Sequence, residues 1–447
     1  MDTQGVRWTA DQVLALAPDD ASRRAGNKLG TAGPWSGTGS GEGAVWGLCR
    51  GSGSTPYRTV VDTRGPAYTC TCPSRKFPCK HALGLLLLWA SDGTADAAEA
   101  PDWAAPWLRN RRERQEAGRA AAPAAPADPE AARRRAERRA ARITAGAEEL
   151  EQRLADLLRG GLATAERSGY ALWEETAARM IDAQAPGLAG RVRELGAIPG
   201  SGPGWPVRLL EECALTHLLD RAWLGVDRLP GALAATVRTR VGLTTPPRGP
   251  STRDHWLVLA QSDTSDGKLT TRRIWLHGRQ SGHTALLLSF GAAGRAPQLS
   301  LPVGSVLDAA LAPHEGAGAV RAEWVEQFAA PAPLDAPPPG GTVADALTAY
   351  GLALREDPWL DSWPVTLTDV VPIPTEYGWQ LADRGGAGGA GEAVPVSAAA
   401  LARPGLWRLA ALSGGRPVRV FGECGHRGFT PLAAWSAESP GETVPLH

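Results

Sequence analysis

Three cysteines and a histidine lie within twelve residues of the chain, directly before a run of leucines. The stretch YTCTCPSRKFPCKHALGLLLLWA occupies residues 68–90. Cys70 and Cys72 stand two positions apart in a β-like run, and because side chains alternate along a strand, both thiols point to the same face. A turn bracketed by prolines returns the chain to Cys79, and His81 follows in the first turn of a predicted helix. Three thiolates and one imidazole form a tetrahedral zinc shell with no open position, which is typical of a structural site.

The leucines after this cluster predict a helix that is apolar on nearly all sides. The helix runs from His81 to about Ala90 and is expected to cover three short antiparallel strands at 44–49, 57–62 and 67–72. A bound metal that contributes about 10–16 kcal/mol offsets the ordering cost of so small a module. The alternative interpretation of the cysteines is a redox-active or merely reduced cluster.

Composition limits the class of protein. The chain has six cysteines in 447 residues, which is too few for a disulfide framework, and its 47 basic and 47 acidic residues balance. Any basic patch is therefore local. The N-terminus has no signal-peptide pattern, and the longest apolar run is far shorter than the roughly 20 residues that span a bilayer. We predict a cytoplasmic protein with reduced thiols and no membrane contact.

The pattern C-x-C-x6-C-x-H, placed after a β run and before an apolar helix, resembles the SWIM-type zinc finger. The resemblance covers about residues 8–91 and implies a ββα module with one structural Zn²⁺ on Cys70, Cys72, Cys79 and His81. It also implies binding to DNA or to protein partners. Bacterial SWIM-finger proteins of about this length tend to be encoded beside MoxR-type AAA ATPases and von Willebrand A-domain proteins, which implies an adaptor or regulatory role in such an assembly.

Basic and aromatic side chains surround the predicted ligands. Arg75, Lys76 and Lys80 either contact the phosphates of DNA or RNA, or neutralise the negative charge of a Cys3His zinc shell. Phe77 either stacks on a base or forms an apolar lid over the metal. These four residues are the candidate contacts to nucleic acid or to a protein partner.

The rest of the chain predicts a multidomain α+β protein: a small ββα zinc module at the N-terminus, a central helical domain and strand-rich α+β regions toward the C-terminus. An apolar stripe with 4,3,4,3 spacing supports the central helices; it consists of Ile143, Ala147, Leu150, Leu154 and Leu157. The predicted segments are the zinc module at 1–91, an Ala/Pro-rich basic linker at 92–129, the helical domain at 130–245, a strand-rich domain at 246–330, a Pro/Gly linker at 331–341 and a strand-rich α+β domain at 342–447.

Local patterns add two expectations that bear on the fold. The glycines of 36–43 precede a strand instead of opening a helix, so we interpret them as a flexible loop and not as a phosphate site. In the last domain, the runs PVTLTDVV, YGWQLA, AVPVS, LWRLAAL and RPVRVFG predict strands.

A basic stretch is the second unusual feature. Residues 107–142 hold eleven arginines against five acidic residues. The stretch is either an electrostatic arm beside the finger or a solvated linker and helix face. The second interpretation predicts ion pairs one helical turn apart, Arg133 with Glu137 and Glu130 with Arg134.

Two further cysteine–histidine pairs were weighed as metal sites. Cys213 and His217 stand four apart on a predicted helix, but leucines flank them and a core-facing cysteine is the simpler interpretation. Cys424 and His426 resemble half of a site without a second half, which favours an ordinary turn.

We find no nucleophile–base constellation and no small-molecule substrate pattern. The sequence therefore predicts a non-enzymatic zinc-binding interaction protein. Its partner is nucleic acid or protein, and an enzyme with an unrecognised site in the C-terminal regions is the less favoured reading. The role of residues 250–447 is left open.

Overall fold

The computed structural model describes residues 8–51, 53–63, 67–74, 76, 78–97, 99–120, 128–243, 250–265, 269–292, 297, 299–314, 320–383 and 391–446. It is a mixed α+β structure with strands and short helices at the N-terminus, a central helical bundle and strand-rich sheets toward the C-terminus. Among the described helices, none is both long and apolar enough to cross a membrane.

The N-terminal part is a five-stranded sheet covered by short helices. Its elements are α1 (Ala10–Ala15), α2 (Asp20–Lys28), β1 (Trp35–Gly41), β2 (Ala44–Cys49), β3 (Tyr57–Asp62), β4 (Ala67–Cys70), α3 (Lys80–Ala90), β5 (Ala95–Asp96) and α4 (Ala105–Ala120). The strand order is β4-β3-β2-β1-β5. The helix α3 is buried along nearly its whole length, from His81 to Trp89, because it lies between the sheet and the helices α1 and α2. The predicted leucine-rich helix and the three predicted strands are therefore confirmed.

The glycine-rich stretch that we interpreted as a flexible loop forms β1, so that prediction is wrong. Gly39 lies against the indole of Trp46, and a Cβ at this position would come within 2.7 Å of the Trp46 Nε1 atom. Gly37 has a φ of 56° next to a register shift in the β1–β2 pairing. The glycines therefore serve close packing and a bulge within a paired strand.

The predicted linker at 92–129 contains the helix α4, so the linker interpretation is wrong for residues 105–120. Ala104 and Leu108 are buried against Trp46 and Val60 of the sheet. The Ala/Pro-rich composition suggested too few apolar groups for packing, but a few small side chains suffice where they contact a tryptophan.

The central bundle buries the predicted apolar stripe. It consists of α5 (Pro129–Gly160), α6 (Ala163–Asp182), α7 (Pro186–Ala197), α8 (Trp205–Leu224), a 3-10 turn (Val226–Arg228) and α9 (Gly231–Val241). Ile143, Ala147 and Leu150 are at most 1% exposed and contact residues of the other helices. Packing within the bundle thus accounts for the stripe.

The next region is a sheet that closes on itself. Its strands are β6 (Thr252–Ser265), β7 (Leu269–Gly278), β8 (Thr284–Ala292), β9 (Ser305–Pro313), β10 (Arg321–Gln327) and β11 (Ala332–Pro333). The order is β10-β8-β7-β6-β9-β11, and β10 also pairs with β9. β11 lies in the predicted 331–341 linker and pairs with β9.

The last region packs helices on a second six-stranded sheet. It contains α10 (Val343–Glu356), β12 (Ser362–Thr375), β13 (Gly378–Ala382), β14 (Ala393–Pro395), α11 (Ala398–Leu401), α12 (Gly405–Ser413), β15 (Val418–Gly425), β16 (Gly428–Ser436) and β17 (Val444–Pro445), in the sheet order β14-β13-β12-β15-β16-β17. The run LWRLAAL is the helix α12, so the strand prediction for it is wrong. Leu406 and Leu409 are buried at helical spacing, whereas Trp407 is 66% exposed.

Buried contacts join these regions. Trp359 lies in the core of the helical bundle and donates a hydrogen bond from Nε1 to the Leu215 carbonyl at 2.9 Å. Leu257 and Trp275 of the first strand-rich region share a core with Phe421 and Trp435 of the second.

Candidate metal centre

The four predicted ligands converge at one end of the N-terminal sheet. Cys70 ends β4, Cys72 lies two residues beyond it, Cys79 is the N-cap of α3, and His81 lies in the first turn of α3. One donor atom from each residue lies within 4.8 Å of the others. A strand end and a helix start therefore bring the four donors together.

The spacing of these donors fits a tetrahedral zinc ion. Cys70 Sγ and His81 Nδ1 are 3.7 Å apart. A Zn–S bond of about 2.3 Å and a Zn–N bond of about 2.0 Å at a tetrahedral angle place sulfur and nitrogen about 3.5 Å apart. With four donors the shell would be complete, and the metal would supply a rigid cross-link between β4 and α3.

Neighbouring groups hold the ligands in position. The Ala82 amide donates a hydrogen bond to Cys79 Sγ at 3.5 Å, as expected of an N-cap. Thr59 Oγ1 is 3.3 Å from Cys70 Sγ, within hydrogen-bonding distance. The ring of Tyr57 lies against the His81 imidazole with 4.8 Å between the centroids. Such outer contacts fix the orientation of metal-binding side chains.

Protonation within the cluster shows how closely the donors are crowded. Hydrogen bonds from Cys70 and Cys79 lower the pKa of Cys72, and hydrogen bonds with Cys70 and Cys72 raise the pKa of Cys79. Burial lowers the pKa of His81, but hydrogen bonds with Cys70 and Cys72 outweigh it and raise the pKa to about 9. The four donors are therefore close enough to share protons, which a zinc ion would displace when it binds.

A groove lies beside the ligands, and we call it the finger groove. It has a volume of about 570 Å³ between α2 and the segment that carries the ligands, and Cys72 and His81 line it. Arg50, Lys76 and Lys80 supply its cations. Lys76 and Lys80, two of the four candidate contact residues, line the groove, whereas Arg75 and Phe77 lie outside the described residues.

Ion pairing distinguishes the cations of the finger groove. Lys76 Nζ is 2.6 Å from Asp19 Oδ2, which ties the ligand segment to the start of α2. Lys80 and Arg50 are exposed and form no ion pair with another described residue. Sequence reasoning missed Arg50, because only the pairing of β2 with β3 and of β3 with β4 brings it beside the ligand segment.

The two other cysteine–histidine pairs do not form metal sites. Cys213 is 2% exposed in the bundle core, and burial raises the pKa of its thiol to about 11. His217 points away to Glu151, with 2.6 Å between Nδ1 and Oε1. Cys424 is fully buried in β15 and does not join His426.

His426 instead meets Glu212 and Asp361, with one donor atom of each within 4.8 Å of the others. Sequence reasoning gave no signal for this group, because its members are far apart in the chain. Arg427 donates hydrogen bonds to Glu212 Oε1 at 2.6 Å and to His426 Nε2 at 3.2 Å. The Arg427 guanidinium therefore balances the negative charge of this cluster. We interpret the cluster as an ion-pair network between the bundle and the last region.

The arginines of 107–142 fall into distinct groups. Arg111 pairs with Asp62, and Arg112 pairs with Glu42 at 2.5 Å, so these two bind back to the N-terminal sheet. On α5, the predicted pairs form: Arg133 with Glu137 at 2.8 Å and Arg134 with Glu130 at 3.0 Å. The interpretation as a solvated helix face thus holds for these two arginines of α5.

Comparison with known protein families identifies two parts of the chain. Residues 57–90 match the SWIM zinc finger, and residues 138–241 match the SWIM-associated four-helix bundle domain. The first match contains all four candidate zinc ligands, and the second begins within α5 and ends with α9. No curated protein and no solved structure matches the chain significantly.

Proposed function

We propose that this SWIM-finger protein is a non-enzymatic interaction protein, in which one structural zinc ion shapes the finger groove for a negatively charged partner. The observation that carries the proposal is the position of Cys72 and His81 in the wall of the groove, beside Lys80 and Arg50. Zinc binding and partner binding would then be coupled, because loss of the metal removes one wall.

A structural role for zinc follows from its donor set. Three sulfurs and one nitrogen fill a tetrahedron and leave no position for a substrate or an activated water. Cys79 is fully buried and His81 is 4% exposed, so the metal would be shielded from solvent on the side of α3. These features support a cross-link and not a Lewis-acid centre.

The partner is proposed from the charge of the finger groove. Lys80 and Arg50 form no ion pair with another described residue and can pair with phosphates or carboxylates, and a surface of this kind contributes affinity without reading base sequence. DNA or RNA is the first candidate. A protein of the MoxR-type AAA ATPase or von Willebrand A-domain class is the second candidate, and it rests on the family resemblance.

The test measures fluorescence anisotropy of labelled single-stranded DNA, duplex DNA and RNA with the zinc-loaded full chain, titrated with salt. We expect binding that weakens steeply with salt, falls about tenfold or more in Lys80→Glu, and disappears when zinc is removed. Lys28→Glu is the matched control, because Lys28 is an exposed lysine at the end of α2 and does not line the groove.

Two outcomes separate the candidates. Absence of nucleic-acid binding at low salt, together with zinc-dependent and Lys80-dependent association with a purified MoxR-type ATPase or A-domain protein, would assign the groove to a protein partner. Equal effects of Lys28→Glu and Lys80→Glu on every probe would contradict the proposal that the groove is the contact surface.

A further inference from the structure

Four arginines of α5 form a stripe on one side of the helix. Arg135, Arg138, Arg139 and Arg142 follow the spacing i, i+3, i+4, i+7, which places them within one face. None of the four forms an ion pair with a described carboxylate, in contrast to Arg133 and Arg134 on the same helix. Four unpaired like charges on adjacent turns repel one another, so the stripe costs stability unless a partner neutralises it.

The stripe borders a cavity in the helical bundle. The cavity has a volume of about 580 Å³ and lies between α5, the C-terminal end of α8 with the 3-10 turn, and α9. Its cations are Arg135 and Arg139 from α5 and Arg238 from α9, against one carboxylate, Asp227. We call the cavity and the arginine stripe together the bundle cleft.

Apolar side chains form the other part of the cavity wall: Ala136, Ala140, Trp223, Leu224, Val226 and Leu243. Trp223 is held in place by a hydrogen bond from Nε1 to Thr144 Oγ1 at 3.2 Å. The volume lies within the roughly 300–1,000 Å³ of ordinary ligand pockets. The cavity is thus large enough for one or two apolar side chains.

The cations of the cavity have few partners within the protein. Arg238 is 3.8 Å from Asp227, whose side chain is 94% exposed, so this pair is weak. Arg139 donates one hydrogen bond to the Gly242 carbonyl at 3.3 Å, and its Nε is buried with no hydrogen-bond partner in the part of the chain that the structure describes. A buried donor of this kind gains from an external acceptor.

We propose that the bundle cleft binds an acidic peptide segment of a protein partner. One apolar side chain of the segment would enter the cavity against Trp223 and Leu224. Carboxylates on either side of it would pair with Arg135 and Arg139 and with the outer arginines of the stripe. An apolar anchor in a pocket with a charged rim is the usual arrangement of a binding hot spot.

The apolar wall favours a peptide over nucleic acid. Duplex nucleic acid would satisfy the arginine stripe but would leave the cavity unfilled, since its bases are stacked inside the duplex and its backbone presents only sugars and phosphates. An acidic peptide with one large apolar residue uses both features. The site also lies outside the zinc module, so its binding depends neither on zinc nor on the finger groove.

The test uses the zinc-loaded full chain and a fluorescein-labelled peptide with a central Phe-Leu pair flanked on each side by Glu residues. We expect saturable binding that Arg135→Glu weakens about tenfold. Arg133→Glu is the control, because it introduces the same charge change on the other face of α5. At about 0.15 M salt, charges more than about 8 Å apart are largely screened, so this variant should weaken binding less than about twofold. Val226→Ser, which removes apolar surface from the cavity, should weaken binding about fivefold. Thermal unfolding of each variant checks that the bundle is folded.

The same assay contains the results that would overturn the proposal. A peptide with Gly-Gly in place of Phe-Leu should bind at least about tenfold more weakly; equal binding would show that the cavity holds no anchor. An equal loss of peptide affinity in Arg133→Glu and Arg135→Glu would show that the peptide is attracted by the overall positive charge of α5 and not by the bundle cleft. A labelled DNA oligonucleotide that binds through Arg135 while the peptide does not would assign the stripe to nucleic acid. Lys80→Glu should leave peptide binding unchanged, which separates this site from the finger groove.

Discussion

The zinc module and the helical bundle are stabilised in different ways. In the module, four donor atoms lie within 4.8 Å of one another, and a zinc ion bound to them would cross-link a strand end and a helix start. The bundle instead depends on a large apolar core that includes Ile143, Leu150, Leu188 and Val237, each at most 1% exposed. We therefore expect the module to be sensitive to loss of a single ion, and the bundle to be sensitive to changes in buried volume or buried charge.

Removal of one ligand should give the largest effect. We expect Cys79→Ser to abolish zinc binding and to unfold the finger, since the metal contributes about 10–16 kcal/mol to such modules, while the bundle stays folded. Metal analysis of the purified protein gives the zinc content, and hydrogen exchange resolves the two regions. The change should expose amides of 57–90 and leave those of 138–241 protected.

Cys49→Ala is the control for that experiment. Cys49 is fully buried in β2 of the same module but does not belong to the donor cluster. The variant should keep about one equivalent of zinc. Full retention of zinc in Cys79→Ser would contradict the ligand assignment, and unfolding of the bundle in that variant would contradict the independence of the two regions.

The local metal site was predictable from the sequence, because all four ligands lie within twelve residues and their spacing follows from strand and helix geometry. The burial of the bundle stripe was predictable for the same reason, since Ile143, Ala147 and Leu150 repeat at helical spacing. Both predictions need only neighbouring residues, and the local backbone is enough to place their side chains.

Features that depend on tertiary contacts were not predictable. The strand β1 was missed because its glycines are explained only by the folded structure, as in the contact of Gly39 with the indole of Trp46. The sequence showed the arginine-rich stretch but not that its arginines have different surroundings. Arg111 forms an ion pair with Asp62 of the sheet. The stripe that begins at Arg135 borders a cavity formed with the C-terminal ends of α8 and α9. Sequence spacing along one helix cannot reveal which face meets a cavity.

A buried carboxyl group is the expected weak point of the bundle. Asp220 is fully buried, and neither of its oxygens has a hydrogen-bond partner among the described residues. Desolvation, assisted by the negative charge of Glu151, raises its pKa from 3.8 to about 8. The folded protein thus binds a proton that the unfolded chain releases between about pH 4 and pH 8, so stability is lost as the pH rises through this window.

Asp220→Asn should therefore stabilise the bundle at neutral pH. The gain should be close to zero near pH 4 and should grow toward pH 8, with an upper limit of about 4 kcal/mol at pH 7 from about 1.4 kcal/mol per pH unit. Denaturant unfolding at a series of pH values measures it. Glu211→Gln, an exposed change on the same helix, should shift stability by less than about 0.5 kcal/mol at every pH. A pH-independent gain in Asp220→Asn would refute the protonation argument.

Close packing of α3 on α2 makes a smaller contribution within the zinc module. Gly84 of α3 faces Leu29, and a Cβ at Gly84 would lie 2.5 Å from the Leu29 Cβ. Alanine gains about 1 kcal/mol of helix propensity, but the clash costs about 1–3 kcal/mol because the backbone of Leu29 lies behind the side chain. We expect Gly84→Ala to destabilise the zinc-loaded module by up to about 2 kcal/mol, measured by thermal unfolding.

Gly33→Ala is the matched control, because nothing lies within 4 Å of a Cβ at that position. It should leave stability within about 0.5 kcal/mol of the parent protein. If Gly84→Ala is as stable as Gly33→Ala in the presence of zinc, the metal alone determines the stability of the module, and the contrast with the core-dependent bundle becomes sharper.

The smallest expected effect comes from the ion pair that borders the finger groove. A hydrogen bond from Lys76 is the main cause that lowers the pKa of Asp19 to about 2, so the contribution of the pair is present above about pH 4 and is lost as the pH falls toward 2. Both side chains are more than a third exposed, at 39% and 57%, so solvent screens the pair. Asp19→Asn keeps a good N-cap for α2 and removes only the charge, and should cost less than about 1 kcal/mol at pH 7.

Denaturant unfolding at pH 7 and at pH 2.5 measures the difference, with Asp20→Asn as the neighbouring control. A loss of zinc affinity in Asp19→Asn would show that this surface pair, and not the four ligands alone, positions the metal-binding segment.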